Sequence, residues 1–226
     1  MCKVFFWTGG HLFLLSIIIS LSANLSLSAQ YIPRFSEEIV SYEQQDKQNP
    51  VKKPVLFTGS SSIRLWTHLS GDFPKYRIIN RGFGGSTAED LSFYYEVLIK
   101  KHRPNKVFIY EGDNDVAMGF PVDSIIKHFV SILDRIKRDL KSTAVFLISP
   151  KPSPSRWHLK SEYVDLNKKL MMLAQKYKKV HVIDLWQPML NAEGLPRPDL
   201  FLQDQLHMNR EGYLIWKKVL EHYLRP

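Results

Sequence analysis

The stretch Val55-Leu56-Phe57-Thr58-Gly59-Ser60-Ser61-Ser62-Ile63-Arg64 decides how this chain reads. Its apolar start, Val55 to Phe57, stops in a small hydroxyl-rich turn and passes into Ile63-Arg64-Leu65-Trp66 at helix-like spacing. A strand, a tight turn and a helix start mark the place where an α/β sheet presents chemistry, because ligands settle beyond the carboxyl ends of parallel strands. Such a turn sets a serine hydroxyl beside backbone N–H groups at the positive end of a helix. Alone, the segment favours an ordinary polar loop, so its meaning depends on what the rest of the chain brings to it.

Outward from this stretch the chain alternates. Apolar β-type runs recur at residues 55–58, 76–80, 106–110, 144–149 and 180–184. Between them lie helix-period segments. In 122–140, Ile125, Phe129, Ile132, Ile136 and Leu140 share one face, and in 155–178 Tyr163, Leu166, Leu170 and Leu173 do. A last helix begins after Asn209, a good N-cap, and carries Tyr213, Trp216, Leu220 and Tyr223. A short helix over 36–45 is expected to start from a serine cap, with Glu37 and Glu38 in its first turn. Strands separated by helices imply an α/β fold with a five-stranded parallel sheet covered on both faces. Right-handed crossovers then bring every strand's C-terminal end to one edge.

That edge collects Gly59-Ser60-Ser61-Ser62, then Asn80-Arg81-Gly82-Phe83-Gly84-Gly85-Ser86-Thr87 and Glu111-Gly112-Asp113-Asn114-Asp115. It also collects the loop from Ser149 to Trp157 and, at the end of a long connection, Asp204-Gln205-Leu206-His207-Met208-Asn209. Acyl transfer needs a nucleophile, a base, a group that orients the base, and donors for an oxyanion. Ser61 suits the nucleophile, just past a strand end, and His207 suits the base. Asp204, three residues before His207, is close enough in a turn to hold the Nδ1 hydrogen. Gly85 offers an unshielded backbone N–H, Asn114 a side-chain N–H, and Ser61 its own amide. Each has an ordinary alternative: glycines permit positive φ, Asn114 can cap the next segment, and His207 and Asp204 can be a satisfied histidine and a turn former. Their joint occurrence, in order and each at a strand end, favours the chemistry.

At these residues the chain resembles the SGNH/GDSL family of serine esterases and lipases. Gly59-Ser60-Ser61 matches the family's first block and implies Ser61 as nucleophile. Asn80-Arg81-Gly82 with the following glycines matches the second and implies Gly85. Gly112-Asp113-Asn114-Asp115 matches the third and implies Asn114, and Asp204-Gln205-Leu206-His207 matches the last. The resemblance implies a three-layer, flavodoxin-like α/β/α sandwich, ester hydrolysis and no cofactor. One departure stands out: Ser60 replaces the aspartate of the first block, leaving Ser60, Ser61 and Ser62 as candidate hydroxyls, with the block alignment favouring Ser61.

A rival account makes Thr58 to Ser62 a phosphate cradle, as in flavodoxins, but gives Asn114, Asp204 and His207 no task. A non-catalytic binding module predicts a degraded constellation, whereas every member is present.

Composition and termini narrow the setting. With 226 residues, 44% of them hydrophobic, the chain can bury one domain's core. Its start has Lys3, an apolar centre from Leu12 to Ile19 and small residues up to Ala29. This reads as a secretory signal over 1–29 ahead of a hydrolase domain over 30–226, with an uncleaved membrane anchor as the alternative. The expected product is an exported protein, periplasmic or secreted, with no membrane span in its mature form. The only cysteine, Cys2, lies in that segment, so the mature domain has no disulfide framework. No spacing of His, Asp and Glu suggests a metal site. The net charge of +9 comes from scattered pairs such as Lys52-Lys53 and Lys178-Lys179, without a basic stripe interleaved with aromatics. That argues for a solvated surface and against a nucleic-acid partner. The expected partner is a small-molecule or polysaccharide ester, most simply an acetylated carbohydrate, with lipid or lysophospholipid esters as the alternative. Trp66, Phe83, Trp157 and Phe201 near the rim are candidates to stack on sugar rings or to sit in the core.

Overall fold

Alternation of side chains along five short strands builds two cores, one on each side of the sheet. In the computed structural model, which describes residues 34–225, the strands are β1 (Val55–Gly59), β2 (Ile78–Gly82), β3 (Lys106–Tyr110), β4 (Ala144–Ile148) and β5 (Val180–Ile183). All pairs are parallel, in the order β2-β1-β3-β4-β5. Leu56, Val107, Ile109, Val145 and Leu147 point to one face, where they meet helices α1 (Ser36–Gln48), α4 (Ala88–Phe93), α5 (Tyr95–Leu98), α7 (Val122–Asp139) and α8 (Lys160–Ala174). Phe57, Phe108, Phe146, Ile148 and Ile183 point to the other, against α2 (Ser61–Arg64), α3 (Leu69–Asp72) and α9 (Arg210–Leu224). A further short helix, α6 (Asp113–Ala117), follows β3. The fold is thus the three-layer α/β/α arrangement expected.

Register sharpens the packing. Phe57 pairs with Phe108 and Phe108 with Phe146, so three rings stack across adjacent strands at centroid separations of 4.5 and 4.7 Å. The helix faces expected from periodicity are the buried ones: Ile125, Phe129, Ile132 and Ile136 in α7, Tyr163, Leu166, Leu170 and Leu173 in α8, and Tyr213, Trp216 and Leu220 in α9.

Boundaries differ where a local signal competes with tertiary pairing. β2 lies further along than residues 76–80, because Arg81 and Gly82 pair with Thr58 and Gly59. The helix expected from 155 begins at Lys160, after a 3-10 turn, Pro154–Leu159, that opens with proline at its first position. α1 runs on to Gln48 and has no serine cap: Ser36 is its first helical residue and Phe35, at φ 68°, is the capping position. The cap expected at Asn209 is present, its side chain accepting from the Gly212 N–H at 3.1 Å. The leader expected over 1–29 lies outside the described residues, and no helix among those described is long and apolar enough to cross a membrane.

This order places the switch of chain direction between β1 and β3, where the connections leave toward opposite sides of the sheet. The C-terminal ends of those two strands carry the Ser61 turn and the Asn114 turn.

Candidate active site

Close approach of β1 and β3 sets the serine turn. Gly59 has φ 125°, and a Cβ there would collide with the Tyr110 carbonyl of the neighbouring strand, so only glycine ends β1 in this way. The Ser60 N–H then donates to the Tyr110 carbonyl at 3.0 Å, and Ser61 becomes the first residue of α2. Of the three serines, Ser60 and Ser62 are buried, each 2% exposed. Ser61 alone opens to the groove, its Oγ lying 3.1 Å from His207 Nε2. The Thr58 hydroxyl is also buried and donates to the Arg81 carbonyl. These hydroxyls are therefore turned away from any phosphate, contrary to the cradle account.

The histidine is delivered by a tight turn. Asp204 Oδ1 accepts from the Leu206 and His207 N–H groups, both at 2.9 Å, with Gln205 in left-handed backbone between them. The same turn brings Asp204 Oδ2 to 2.6 Å from His207 Nδ1. Burial opposes ionisation of Asp204, but the imidazole and the two backbone donors outweigh it and bring its pKa down to about 2. The Asp204 carboxylate is therefore charged across the neutral range. A second tie positions this loop: Arg210, just beyond it, forks onto the buried Asp72 carboxylate, which also accepts from Trp66 Nε1 at 2.7 Å. The start of α9 is thereby joined to the segment that follows α2.

The expected donors converge on the same groove. Gly85 has φ 81°, and its carbonyl accepts from Arg34 at 2.8 Å. Asn114 does not cap a helix; it sits inside α6, donates from Nδ2 to the Ser86 carbonyl at 2.9 Å and keeps its second Nδ2 hydrogen for the groove. Asp115 ties the two turns together, accepting from the Ala88 N–H at 3.0 Å and the Gly112 N–H at 3.2 Å. Ser86 Oγ donates at 2.6 Å to Glu111, whose carboxyl is pushed well above the ordinary range by burial and by Asp115 nearby. Ser61, Gly85, Asn114 and His207 all line one depression of about 370 Å³, with Asp204 behind the imidazole.

Sequence reasoning missed a buried charge cluster behind Asn114. Asp113, 3% exposed, receives Lys151 Nζ at 2.8 Å, Arg156 Nη1 at 2.6 Å, and the hydroxyls of Tyr110 at 2.7 Å and Tyr163 at 2.8 Å. Burial opposes its charge, but Lys151 and Arg156 hold its carboxyl well below the usual range. Both Arg156 terminal nitrogens also donate to Asn114 Oδ1, each at 3.2 Å, which fixes which end of the carboxamide faces the groove. Two cations to one carboxylate leave this cluster positive beneath the place where an oxyanion would form. The loop from Ser149 to Trp157 was legible as part of the rim, but its cations pair with a residue 38 or more positions away, which no local pattern reveals.

Three of the four rim aromatics are core residues: Trp66, Phe83 and Phe201 are buried. Trp157 is half-buried and stacks on Trp186 at 5.6 Å. No three His, Cys, Asp or Glu among the described residues gather as a metal site.

A serine turn at a strand end and an Asp/His turn stand together on this three-layer α/β/α sheet. Residues 57–215 match the model of the GDSL-like lipase/acylhydrolase family, and the chain belongs to that family, a family of carboxylic ester hydrolases. Solved structures share the fold. A Bacteroides fragilis protein assigned as an acylhydrolase is 22% identical at a TM-score of 0.74, covering 86% of this chain and 98% of its own. A GDSL-like lipase from Bacteroides thetaiotaomicron is 24% identical at 0.69, covering 82% and 98%. An acetylxylan esterase from Geobacillus stearothermophilus is 15% identical at 0.61, covering 76% and 94%. No curated protein sequence matches the chain.

Proposed function

We propose that this protein is an exported serine esterase that removes short acyl groups, acetyl foremost, from carbohydrate esters. The observation that carries the mechanism is the unbroken chain from Ser61 Oγ to His207 Nε2 at 3.1 Å and from His207 Nδ1 to Asp204 at 2.6 Å. His207 takes the Ser61 proton as Oγ bonds to the substrate carbonyl carbon, and the carbonyl oxygen becomes the oxyanion. The N–H groups of Ser61, Gly85 and Asn114 receive that oxygen, and Asp204 stabilises the imidazolium. The ester C–O bond breaks as His207 returns the proton to the leaving alcohol. Water, deprotonated by His207, then cleaves the acyl-enzyme and regenerates Ser61.

Acyl size follows from the groove wall. Among the described residues its aliphatic side chains are Leu65 and Leu206 alone, beside Ser61, His207, Asn114, Asp113, glycines and the cations Arg64, Lys151 and Arg156. A long acyl chain gains about 0.8 kcal/mol for each methylene it buries in apolar surroundings, and this wall offers it little of that. The polar wall suits a short acyl group on a hydroxylated leaving group, and the fold shared with an acetylxylan esterase is in keeping. Export rests on the leader-like start of the chain and is tested by N-terminal mass analysis of secreted protein.

The test compares hydrolysis of 4-nitrophenyl acetate by the wild type and by Ser60→Ala, Ser61→Ala and Ser62→Ala. Only Ser61→Ala should abolish turnover. Equal rates from Ser61→Ala and wild type remove the nucleophile assignment, and release of acetate from acetylated xylan addresses the substrate.

A further inference from the structure

The loops on the strand-entry side of the sheet carry charge of one sign. Every loop that leads into a strand carries lysine or arginine: Lys53 before β1, Arg77 before β2, Arg103 before β3, Lys141 before β4 and Lys179 before β5. Residues 49–54, 73–77, 103–105, 140–143 and 175–179 contain no Asp or Glu. The parallel sheet puts all five loops on one edge, opposite the Ser61 groove. The groove edge carries both signs, with Glu111, Asp113, Asp184 and Asp204 following strands and Arg64, Lys151 and Arg156 lining the groove. Along the sequence the entry-side cations look like isolated pairs; only the sheet brings them together. None of the five makes an ion pair among the described residues, and the nearby Asp139 is already held by Arg138 and Lys100. A helix dipole accounts for a cation in a last turn, but not for five acid-free loops side by side.

The same edge has an apolar slot. A depression of about 420 Å³ between α7 and β5 has Leu133, Ile136, Leu140, Val145 and Val180 among its lining, with Lys137, Lys141, Lys176, Lys178 and Lys179 around it beside Thr143 and Tyr177. It shares Leu140, Lys141 and Thr143 with a second depression, of about 360 Å³, that reaches Lys53 and Arg103. In the last turn of α8, Met171 and Met172 stand 51% and 55% exposed.

We infer that this edge docks peripherally on an anionic lipid surface, with lysines at the headgroups and the slot and the two methionines at the acyl boundary. Lysines alone suit any polyanion. An apolar slot, with exposed flexible thioethers in the last turn of the helix that leads into this edge, suits a bilayer interface better than a glycan or a nucleic-acid backbone. Bound in this way, the protein holds the Ser61 groove away from the lipid, toward soluble or polysaccharide esters.

Co-sedimentation with vesicles tests this, using phosphatidylcholine alone and a mixture with phosphatidylglycerol, at low and high salt. Binding is expected only to the anionic vesicles and only at low to moderate salt. The triple variant Lys141→Glu/Lys176→Glu/Lys178→Glu, at exposed positions, should lower the partition coefficient by ~100-fold or more. Its thermal midpoint and circular dichroism, unchanged from wild type, show that the loss is not unfolding. Met171→Ser/Met172→Ser should weaken binding several-fold at constant charge. Absence of binding to anionic vesicles, equal binding to neutral ones, or an unaffected triple variant overturns the inference. So does release by a soluble anionic polysaccharide together with an unaffected methionine variant, which assigns the edge to a polyanion.

Discussion

Replacing Arg156 by methionine removes a side chain that touches no reacting atom in the proposed mechanism, yet turnover should fall. In the wild type the Asn114 carboxamide is held at both ends: Arg156 gives two hydrogen bonds to Oδ1, each 3.2 Å, and Nδ2 donates to the Ser86 carbonyl at 2.9 Å. A charged donor contributes about 1.5–3 kcal/mol, and the remaining neutral bond about 1 kcal/mol, too little to keep one amide orientation. Asp113 would keep Lys151 at 2.8 Å and the hydroxyls of Tyr110 and Tyr163. Its charge is not orphaned, so the stability loss should be about 2 kcal/mol rather than the 3–5 of a broken isolated pair. Losing an oxyanion donor outright costs about a hundred- to a thousand-fold. Misorienting it part of the time should therefore lower kcat by roughly ten- to a hundred-fold, with KM little changed. The assay is steady-state hydrolysis of 4-nitrophenyl acetate by Arg156→Met, Asn114→Ala and the double variant. If Arg156 acts through Asn114, the double variant is no slower than Asn114→Ala. Multiplicative losses, or an unchanged kcat in a destabilised Arg156→Met, refute the reasoning.

Other consequences can be checked in the same preparations. Burial, against the pull of Asp46, holds His102 down at about 4. Its folded value lies below the unfolded 6.5, so stability is lost as pH falls from 6.5 toward 4, by up to about 3 kcal/mol. Denaturant titrations should show a smaller loss over that window in His102→Gln, and parallel curves would refute the shift. Gly85→Ala meets, among the described residues, only Arg34 Nη2 at 3.7 Å but must keep φ 81°. It should cost about 1–2 kcal/mol in thermal unfolding while the retained N–H preserves most activity; complete inactivation with an intact fold would contradict this. Across 4-nitrophenyl acetate, butyrate and octanoate, kcat/KM should decline, and a rise with chain length would favour a lipase-type substrate.

Much of the architecture was legible in the chain because it depends on short-range repetition. Short apolar runs at β3 and β4 mark buried strands, and a period of 3.6 in α7, α8 and α9 picks out each helix's inward face before any partner is known. The glycines and Asn114 were legible for a related reason: they lie just past strand ends, which parallel crossovers bring together, whereas the Asp204–His207 pair reaches the same rim at the end of a long connection after β5. What stayed hidden depends on contacts between distant segments. The start of β2 followed pairing with β1, and Trp66, Phe83 and Phe201 proved to be core because whole layers close over them.

By itself, then, the sequence determined the sheet, the covering helices and the small set of residues proposed as a hydrolytic centre, since periodicity and turn chemistry are local properties. Tertiary structure alone decided which of three serines faces His207, that Arg156 and Lys151 stand behind Asn114 through Asp113, and that dispersed lysines share one edge. Those outcomes are set by burial and by distance in space, and neither is written in the spacing of residues along the chain.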